Sequence, residues 1–146
     1  MNQKAQSETN ATAAVYVPRK SEYVLRVRRT AAGLGLCTDS PIARGKFIIE
    51  YYGIVLTREQ ADEKGGKYLF EINSKRVIDG SPRYNLARYL NHSCRPNCET
   101  DIVKGKIYIY AKRNIKPGEE LTYDYGKEYV NDFIKPYGCK CAKCLG

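Results

Sequence analysis

Three short stretches hold most of the residues in this chain that could carry chemistry. Asn91-His92-Ser93-Cys94 contains the only histidine, and Glu120-Leu121-Thr122-Tyr123-Asp124-Tyr125 carries a pair of tyrosines. Cys139-Lys140-Cys141-Ala142-Lys143-Cys144 packs three of the six cysteines into one short run. Clustered thiols invite a metal. Structural zinc takes four thiolate or imidazole ligands in a closed tetrahedron, so this run is one ligand short by itself. Disulfides are the other use of six cysteines. Residues 1–14, however, are polar and small, without the apolar core of an export signal, and an intracellular, metal-binding protein is the expectation. A cysteine hydrolase gains little support, because His92 is too close in sequence to Cys94 for a dyad and no other histidine exists. Cys37 reads as a small buried hydrophobe.

The aromatic residues are the second clue. The chain has 13 Tyr, 3 Phe and no Trp, so its aromatic surface nearly always carries a hydroxyl. Buried hydroxyls need partners, and a plain core would favour Phe or Leu. Gly33-Leu34-Gly35-Leu36 offers a place where backbone can approach a ligand closely. No Gly-x-Gly-x-x-Gly follows a strand, so a dinucleotide-type fold gains no support.

The elements that must position these residues are mostly short strands. Tyr23 to Arg29, Lys46 to Tyr52, Lys67 to Asn73 and Arg76 to Asp79 are rich in β-branched and aromatic residues. Lys106 to Arg113 alternates Ile107, Ile109 and Ala111 with Tyr108 and Tyr110, as a strand with two differently filled faces would. Turns are marked by Gly65-Gly66 and by Lys116-Pro117-Gly118-Glu119, where Pro then Gly suits a type II turn. A short helix is expected from Arg58 to Lys64, with Thr57 as N-cap and Gln60 completing a capping box. A second is expected over Asn85 to Leu90, with Leu86, Tyr89 and Leu90 on one face. The class is mainly β (β-rich α+β), without internal repeats.

At 146 residues the chain is one domain, of a size that buries about 68–70% of its unfolded surface. No apolar run is long enough to span a bilayer. The net charge of +9 gathers at Arg19, Lys20, Arg26, Arg28 and Arg29, and again at Lys104, Lys106, Lys112, Arg113 and Lys116. Such an excess speaks to solubility and partners rather than fold: a solvated basic face, or one set weakly against nucleic-acid phosphates.

The ordered series of motifs from Val24 to Gly146 resembles the SET-domain protein-lysine methyltransferases with a cysteine-rich post-SET tail. The resemblance implies a fold of short β-sheets in which the C-terminal motif threads through a preceding loop, pseudoknot-like, ahead of a zinc-bound tail. It divides the chain into a disordered leader (1–20), a SET domain (21–130) and the tail (131–146). It implies S-adenosylmethionine as methyl donor and a substrate protein with an exposed lysine, above all a histone tail. By motif position, Tyr125 is similar to the family's catalytic tyrosine. Tyr123 matches the Tyr/Phe position that biases how many methyl groups are added, and Tyr51 and Tyr68 resemble tunnel-wall tyrosines. Leu34, Gly35 and Leu36, with Asn91 and His92 and again Tyr125, match positions that hold the cofactor. Asn85 and Arg88 also find similar residues in the family, whereas Tyr84 stands where many members carry Gly. The family supplies the fourth zinc ligand from the cysteine after Asn-His-Ser, making the set Cys94, Cys139, Cys141 and Cys144. Cys98 is the alternative fourth ligand, because the last gap here is two residues where the family's is four.

The implied reaction explains the tyrosines. A lysine has a reference pKa near 10.4 and only its neutral amine attacks a methyl group, so deprotonation at pH 7 costs about 4.6 kcal/mol. An aromatic-walled tunnel lowers the amine pKa by desolvation, and a sulfonium at its end lowers it further. Tyrosine hydroxyls hold the nitrogen in line, and positioning of this kind contributes about 7–11 kcal/mol. A carboxylate there would favour the ammonium. Two other readings fit parts of the sequence. One is a zinc-stabilised basic binding module, marked by salt-dependent nucleic-acid binding. The other is an inactive SET domain holding methyl-lysine in an aromatic cage, against which Tyr125 argues. The methyltransferase reading implies a monomer, with no membrane attachment, in the nucleus or on chromatin if eukaryotic or host-directed and in the cytoplasm otherwise.

Overall fold

The computed structural model describes residues 16–145. In chain order the strands are β1 (Leu25–Thr30), β2 (Gly33–Thr38), β3 (Phe47–Tyr51), β4 (Ile54–Thr57), β5 (Leu69–Glu71), β6 (Arg76–Asp79), β7 (Asn91–His92), β8 (Cys98–Val103), β9 (Lys106–Ala111) and β10 (Thr122–Tyr123). They form four small sheets: the β1-β2 hairpin, β3-β9-β8, β4-β6-β5, and the pair β10-β7. Only that last pair is parallel, with Thr122 opposite Asn91 and Tyr123 opposite His92.

The alternation in β9 does what its pattern requires. Ile107, Ile109 and Ala111 are buried, while Tyr108 and Tyr110 are half-buried on the other face. With Leu36, Ile42, Ile48, Leu90 and Leu121, the two isoleucines form the most enclosed part of a single core. Each such side chain is stabilised by about 1.5–3 kcal/mol on leaving water. Helix α1 (Arg58–Lys64) begins where expected: Gln60 N–H donates to the Thr57 hydroxyl, and the Gln60 side chain accepts from Thr57 N–H, completing the capping box. The turn at Lys116–Glu119 closes with Glu119 N–H on Lys116 O at 3.1 Å, and Gly118 takes the φ of +92° a type II turn demands.

Other elements differ from expectation. Strands β2, β4, β7, β8 and β10 join those read from composition. β2 is glycine-rich but pairs along its whole length with β1 and buries Leu36, Cys37 and Thr38. The helix expected over Asn85 to Leu90 is one 3-10 turn, Leu86–Tyr89. Its tighter winding turns Ala87 into the core beside Leu90 and leaves Leu86 and Tyr89 half-buried. Asn85 does not cap it. That buried side chain donates to Gly80 O at 3.0 Å and accepts from Tyr52 N–H at 3.3 Å, stitching two loops together.

Residues 1–15 of the expected leader lie outside the described residues. Tyr16 and Arg19 already belong to the packed domain. Both oxygens of the buried Glu50 are taken, by the Tyr16 hydroxyl at 2.6 Å and Arg19 N–H at 2.8 Å, while the Arg19 guanidinium sits 3.8 Å from the Phe47 ring centroid. The boundary expected at residue 130 falls inside one helical run made of Lys127–Tyr129, the wider turn Val130–Ile134 and the tighter turn Lys135–Tyr137. Among the described residues, no helix is long and apolar enough to cross a membrane.

The segment 119–123 is gripped from both sides. On one side Leu121 N–H donates to Leu36 O (2.8 Å) and Glu119 O accepts from Thr38 N–H (3.1 Å). On the other, the buried Asn97 side chain serves as a strand partner, donating to Glu120 O at 2.8 Å and accepting from Thr122 N–H at 2.9 Å. Ser93 N–H closes on Tyr123 O at 3.1 Å. The chain thus threads between β2 and the loop 91–97, carrying two tyrosines into the middle of the molecule.

Candidate active site

β10 delivers Tyr123 and, two residues on, Tyr125. Their ring centroids are 4.8 Å apart. Tyr123 also stacks on Phe70 at 6.2 Å, and Phe70 meets Tyr51 at 5.3 Å. The Tyr125 hydroxyl donates to Leu90 O, and the Tyr51 hydroxyl donates to Tyr68 O at 2.7 Å. The wall continues along the helical run, Tyr125 to Tyr129 at 5.1 Å and Tyr129 to Phe133 at 4.9 Å. Spacing by fours from Tyr125 was the signal in the sequence that could have added Tyr129 and Phe133 to the candidate residues.

Burial is the main force on these hydroxyls. It pushes the phenols of Tyr51, Tyr123 and Tyr125 well above the ordinary value of 10, and neighbouring tyrosines add to the effect. All three are neutral near pH 7. They can donate and accept hydrogen bonds, but none is a phenolate that could take a proton or fix an ammonium ion.

Two clefts meet at this wall. The first, about 570 Å³, is lined by Leu34, Tyr89, Asn91, His92 and the tail residues 137–141. Its charged lining is Lys67, Arg83, Arg88 and Lys140, with no carboxylate among the described residues. The second, about 650 Å³, is lined by Tyr51, Phe70 and Tyr123, and its charged lining is mixed, with the carboxylates Asp62, Glu71, Asp124, Glu128 and Asp132 beside the cations Arg58, Lys67, Arg88 and Lys127. Lys67, Tyr68, Arg88, Tyr125, Tyr129 and Phe133 belong to both. Both volumes suit a small-molecule ligand or a side chain with its flanking segment. Arg88 lies 4.4 Å from the Tyr68 ring centroid, and its buried Nε has no hydrogen-bond partner among the described residues. Such an orphaned donor beside an all-cationic cleft fits an anionic ligand group.

The sequence-derived site residues fall into place unevenly. Tyr125 and Tyr68 line both clefts, Tyr51 and Tyr123 only the second, and Leu34, Asn91 and His92 only the first. The Leu36 side chain is in the core, so only its backbone could reach a ligand. A Cβ on Gly35 would stand 2.6 Å from Glu120 Oε2, 2.7 Å from Thr30 Cγ2 and 3.0 Å from Asn91 Nδ2, so a larger residue there would displace these side chains. Asn91 uses its amide NH2 on Glu120 Oε2 (2.8 Å) and Leu34 O (3.1 Å). Tyr84 is exposed and packs against Tyr52 at 5.1 Å between centroids, away from both clefts.

The sulfurs of Cys94, Cys139, Cys141 and Cys144 lie within 4.8 Å of one another, Cys94 being 3.6 Å from Cys144 and 3.9 Å from Cys139. Ligands about 2.3 Å from a tetrahedral zinc stand about 3.8 Å apart, so the quartet fits that ion. Burial would raise the Cys141 thiol, but hydrogen bonds from the backbone of Cys94 and Cys144 bring it down to about 6. Hydrogen bonding among the thiols pushes Cys144 up to about 12. One thiolate forms readily and further ones are resisted until a cation joins them. Cys98 is not part of the group: it is buried, bonded to Asn97 Oδ1, and pushed by burial up to about 12. Cys37 is buried too, as a small hydrophobe.

Comparison with known proteins agrees with this architecture. The SET domain matches residues 33–126. The histone-lysine N-methyltransferase set1 of Dictyostelium discoideum is 40% identical over 123 residues, covering 75% of this chain and 8% of that protein. An H3 lysine-4 specific histone-lysine N-methyltransferase of Emericella nidulans is 38% identical over 144 residues, covering 88% and 12%. A crystal structure of KRYPTONITE in complex with mCHH DNA, an H3(1-15) peptide and SAH superposes with a TM-score of 0.65 at 33% identity, covering 75% of this chain and 24% of that one. The chain thus spans only a small part of the length of its curated relatives.

Proposed function

Since the chain belongs to the SET-domain family, and folds as one, we propose that it is a protein-lysine N-methyltransferase that uses S-adenosylmethionine and acts on a histone tail. The observation that carries this reading is the meeting of two differently charged clefts at Tyr125. The all-cationic cleft, with its orphaned Arg88 Nε, suits the carboxylate end of the cofactor. The tyrosine-lined cleft, whose mixed lining holds the carboxylates that the first cleft lacks, suits a lysine presented on a basic peptide.

When bound, the cofactor supplies an electrophilic methyl group. Everything else is work for the chain. Tyr51, Phe70 and Tyr123 strip water from the entering lysine and favour its neutral amine. The Tyr125 and Tyr123 hydroxyls, neutral and fixed, orient the nitrogen lone pair. No side chain of the wall takes the amine proton, which leaves to solvent before the amine is enclosed. Cys94, Cys139, Cys141 and Cys144 would hold a zinc in a structural role, tying the tail to the loop that carries Cys94 beside the first cleft.

The protein works as a monomer in the nucleus or on chromatin. Exposed Arg28 and Arg29 of β1 give it weak, salt-dependent contact with DNA. Incubation with labelled cofactor, core histones and lysine peptides tests the reading. Label on a histone lysine is the expected outcome. No transfer to any substrate, with tight binding of a methylated peptide or of DNA instead, would replace it with a binding function.

A further inference from the structure

His92 joins the two halves of the site in a way that neither the tyrosine wall nor the cysteine quartet accounts for. The imidazole is buried, and its two nitrogens face different structures. Nδ1 accepts the backbone N–H of Tyr125 at 3.1 Å. A backbone N–H can only donate, so Nδ1 carries the lone pair and the neutral ring bears its proton on Nε2. Nε2 lies 3.5 Å from Cys94 Sγ, in reach of an N–H···S hydrogen bond. The ring of Tyr125 lies edge-on to the imidazole, centroids 5.5 Å apart. Asp124 Oδ1, 3.7 Å from Nδ1, is too far to compete and accepts from Gly126 N–H at 2.9 Å.

We propose that the His92 side chain is a positioning residue that couples the four-cysteine metal site to the backbone of Tyr125. Its Nε2–H stabilises the Cys94 thiolate as a ligand, and its Nδ1 fixes where the chain turns from β10 towards the tyrosine wall. Groups that orient metal ligands from outside are worth about 10–100-fold in metal affinity. A displacement of about 1 Å in a reacting array can cost about a hundredfold in rate. One ring therefore lets the state of the metal bear on the geometry at Tyr125. The catalytic part of this inference rests on the methyltransferase reading, whereas the metal and backbone parts do not.

Two substitutions separate the halves. His92→Asn places a side-chain oxygen near Nδ1 and nothing near Nε2. His92→Gln reaches the Nε2 position and offers nothing at Nδ1. Zinc affinity, measured by competition with a chromophoric chelator, should fall about 10–100-fold in His92→Asn and stay near the parent value in His92→Gln. The amide-proton NMR shift of Tyr125, which needs no substrate, should move upfield in His92→Gln and stay near the parent in His92→Asn. With zinc saturating, His92→Gln should turn over more slowly than His92→Asn. Chelating zinc from the parent should itself shift the Tyr125 amide resonance, and that response should shrink in both variants; a parent amide indifferent to zinc overturns the coupling, as does parent-like behaviour of both variants. If the parent methylates nothing, the methyltransferase reading fails, and zinc affinity and amide shift still decide the role of His92.

Discussion

Tyr51 and Tyr68 are joined by a hydrogen bond of 2.7 Å from a side-chain hydroxyl to a backbone carbonyl, although they belong to different sheets and loops. The same carbonyl accepts Gly80 N–H at 2.8 Å. A Cβ on Gly80 would fall 2.4 Å from the Tyr51 ring. Three chain segments therefore fix one wall of the second cleft, and the tyrosine hydroxyl that looks free for substrate is already spent on structure. The Tyr125 hydroxyl is held in the same way by Leu90 O, so each of these two hydroxyls can act on an entering amine only as an acceptor, and Tyr123 is the third tyrosine of that wall.

Tyr125→Phe removes the hydroxyl and keeps the ring. Turnover should fall by about tenfold or more, with zinc content and cofactor affinity close to the parent, because only a positioning interaction is lost. Equal turnover in the two proteins would remove Tyr125 from its assigned role.

Tyr123→Phe should shift products towards higher methylation without abolishing transfer. The buried hydroxyl restricts rotation of an already methylated nitrogen into line, and a preference of about 1–2 kcal/mol is enough to be seen by mass spectrometry of a peptide. An unchanged product distribution would count against Tyr123 facing the amine.

Metal analysis should find about one zinc per chain. Cys94→Ser should lose that zinc and suppress methylation, while Cys98→Ser should keep the metal content, since Cys98 lies outside the quartet. Retained zinc in Cys94→Ser, together with loss in Cys98→Ser, would reverse the ligand assignment.

The pH dependence of stability should carry a signature of Asp79. Burial alone would raise this carboxyl, but the Lys64 ammonium at 2.5 Å and hydrogen bonds from Ser81 hold it below its ordinary value of 3.8. The native state then binds fewer protons than the unfolded chain near that pH. The stabilisation is complete above about pH 4, where the unfolded carboxyl has ionised, and disappears as pH falls through the folded value. Lys64→Met should cost about 1–3 kcal/mol at pH 7, as for a buried polar group left unsatisfied. Denaturant melts at pH 7 and pH 3 should show a smaller drop in the variant; an equal drop in both proteins would contradict the pairing.

Glu50→Gln should detach the segment around Tyr16 and Arg19 and lower stability by about 1–2 kcal/mol, measured in urea, because two hydrogen bonds to a carboxylate are weakened. No change would show that the segment adds nothing to the fold.

What could be read from sequence was whatever is decided within a few residues. Thr57 and Gln60 state the start of α1 by themselves, Pro117 and Gly118 state a turn, and the alternation around Ile107 and Ile109 states a strand. β2 was illegible because its glycines argue for a loop, while its strand character comes from pairing with β1 and burial of Leu36. β7 and β10, two residues each, have no local signal at all: Asn97, from a distant loop, makes the 119–123 segment extended. The tyrosine and cysteine positions were legible as motifs, but the charge contrast between the clefts was not, since it gathers residues from 58 to 140 by folding alone.

The passage of residues 119–123 between β2 and the 91–97 loop also sets an order of assembly. The β8–β9 hairpin joins neighbouring segments and can close early, whereas β10 pairs with β7 across that whole hairpin. Distant pairings of this kind come late and slowly in folding. Tyr123 and Tyr125 reach their places only when this pairing closes, so a molecule with its hairpins formed and this pair still open would lack the wall between the two clefts. Pulse-labelling hydrogen exchange should find the amides of Leu121 and Thr122 protected after those of Ile107 and Ile109. The threading thereby ties completion of the clefts to completion of the fold: a chain in which residues 119–123 are not yet seated offers a ligand no finished site.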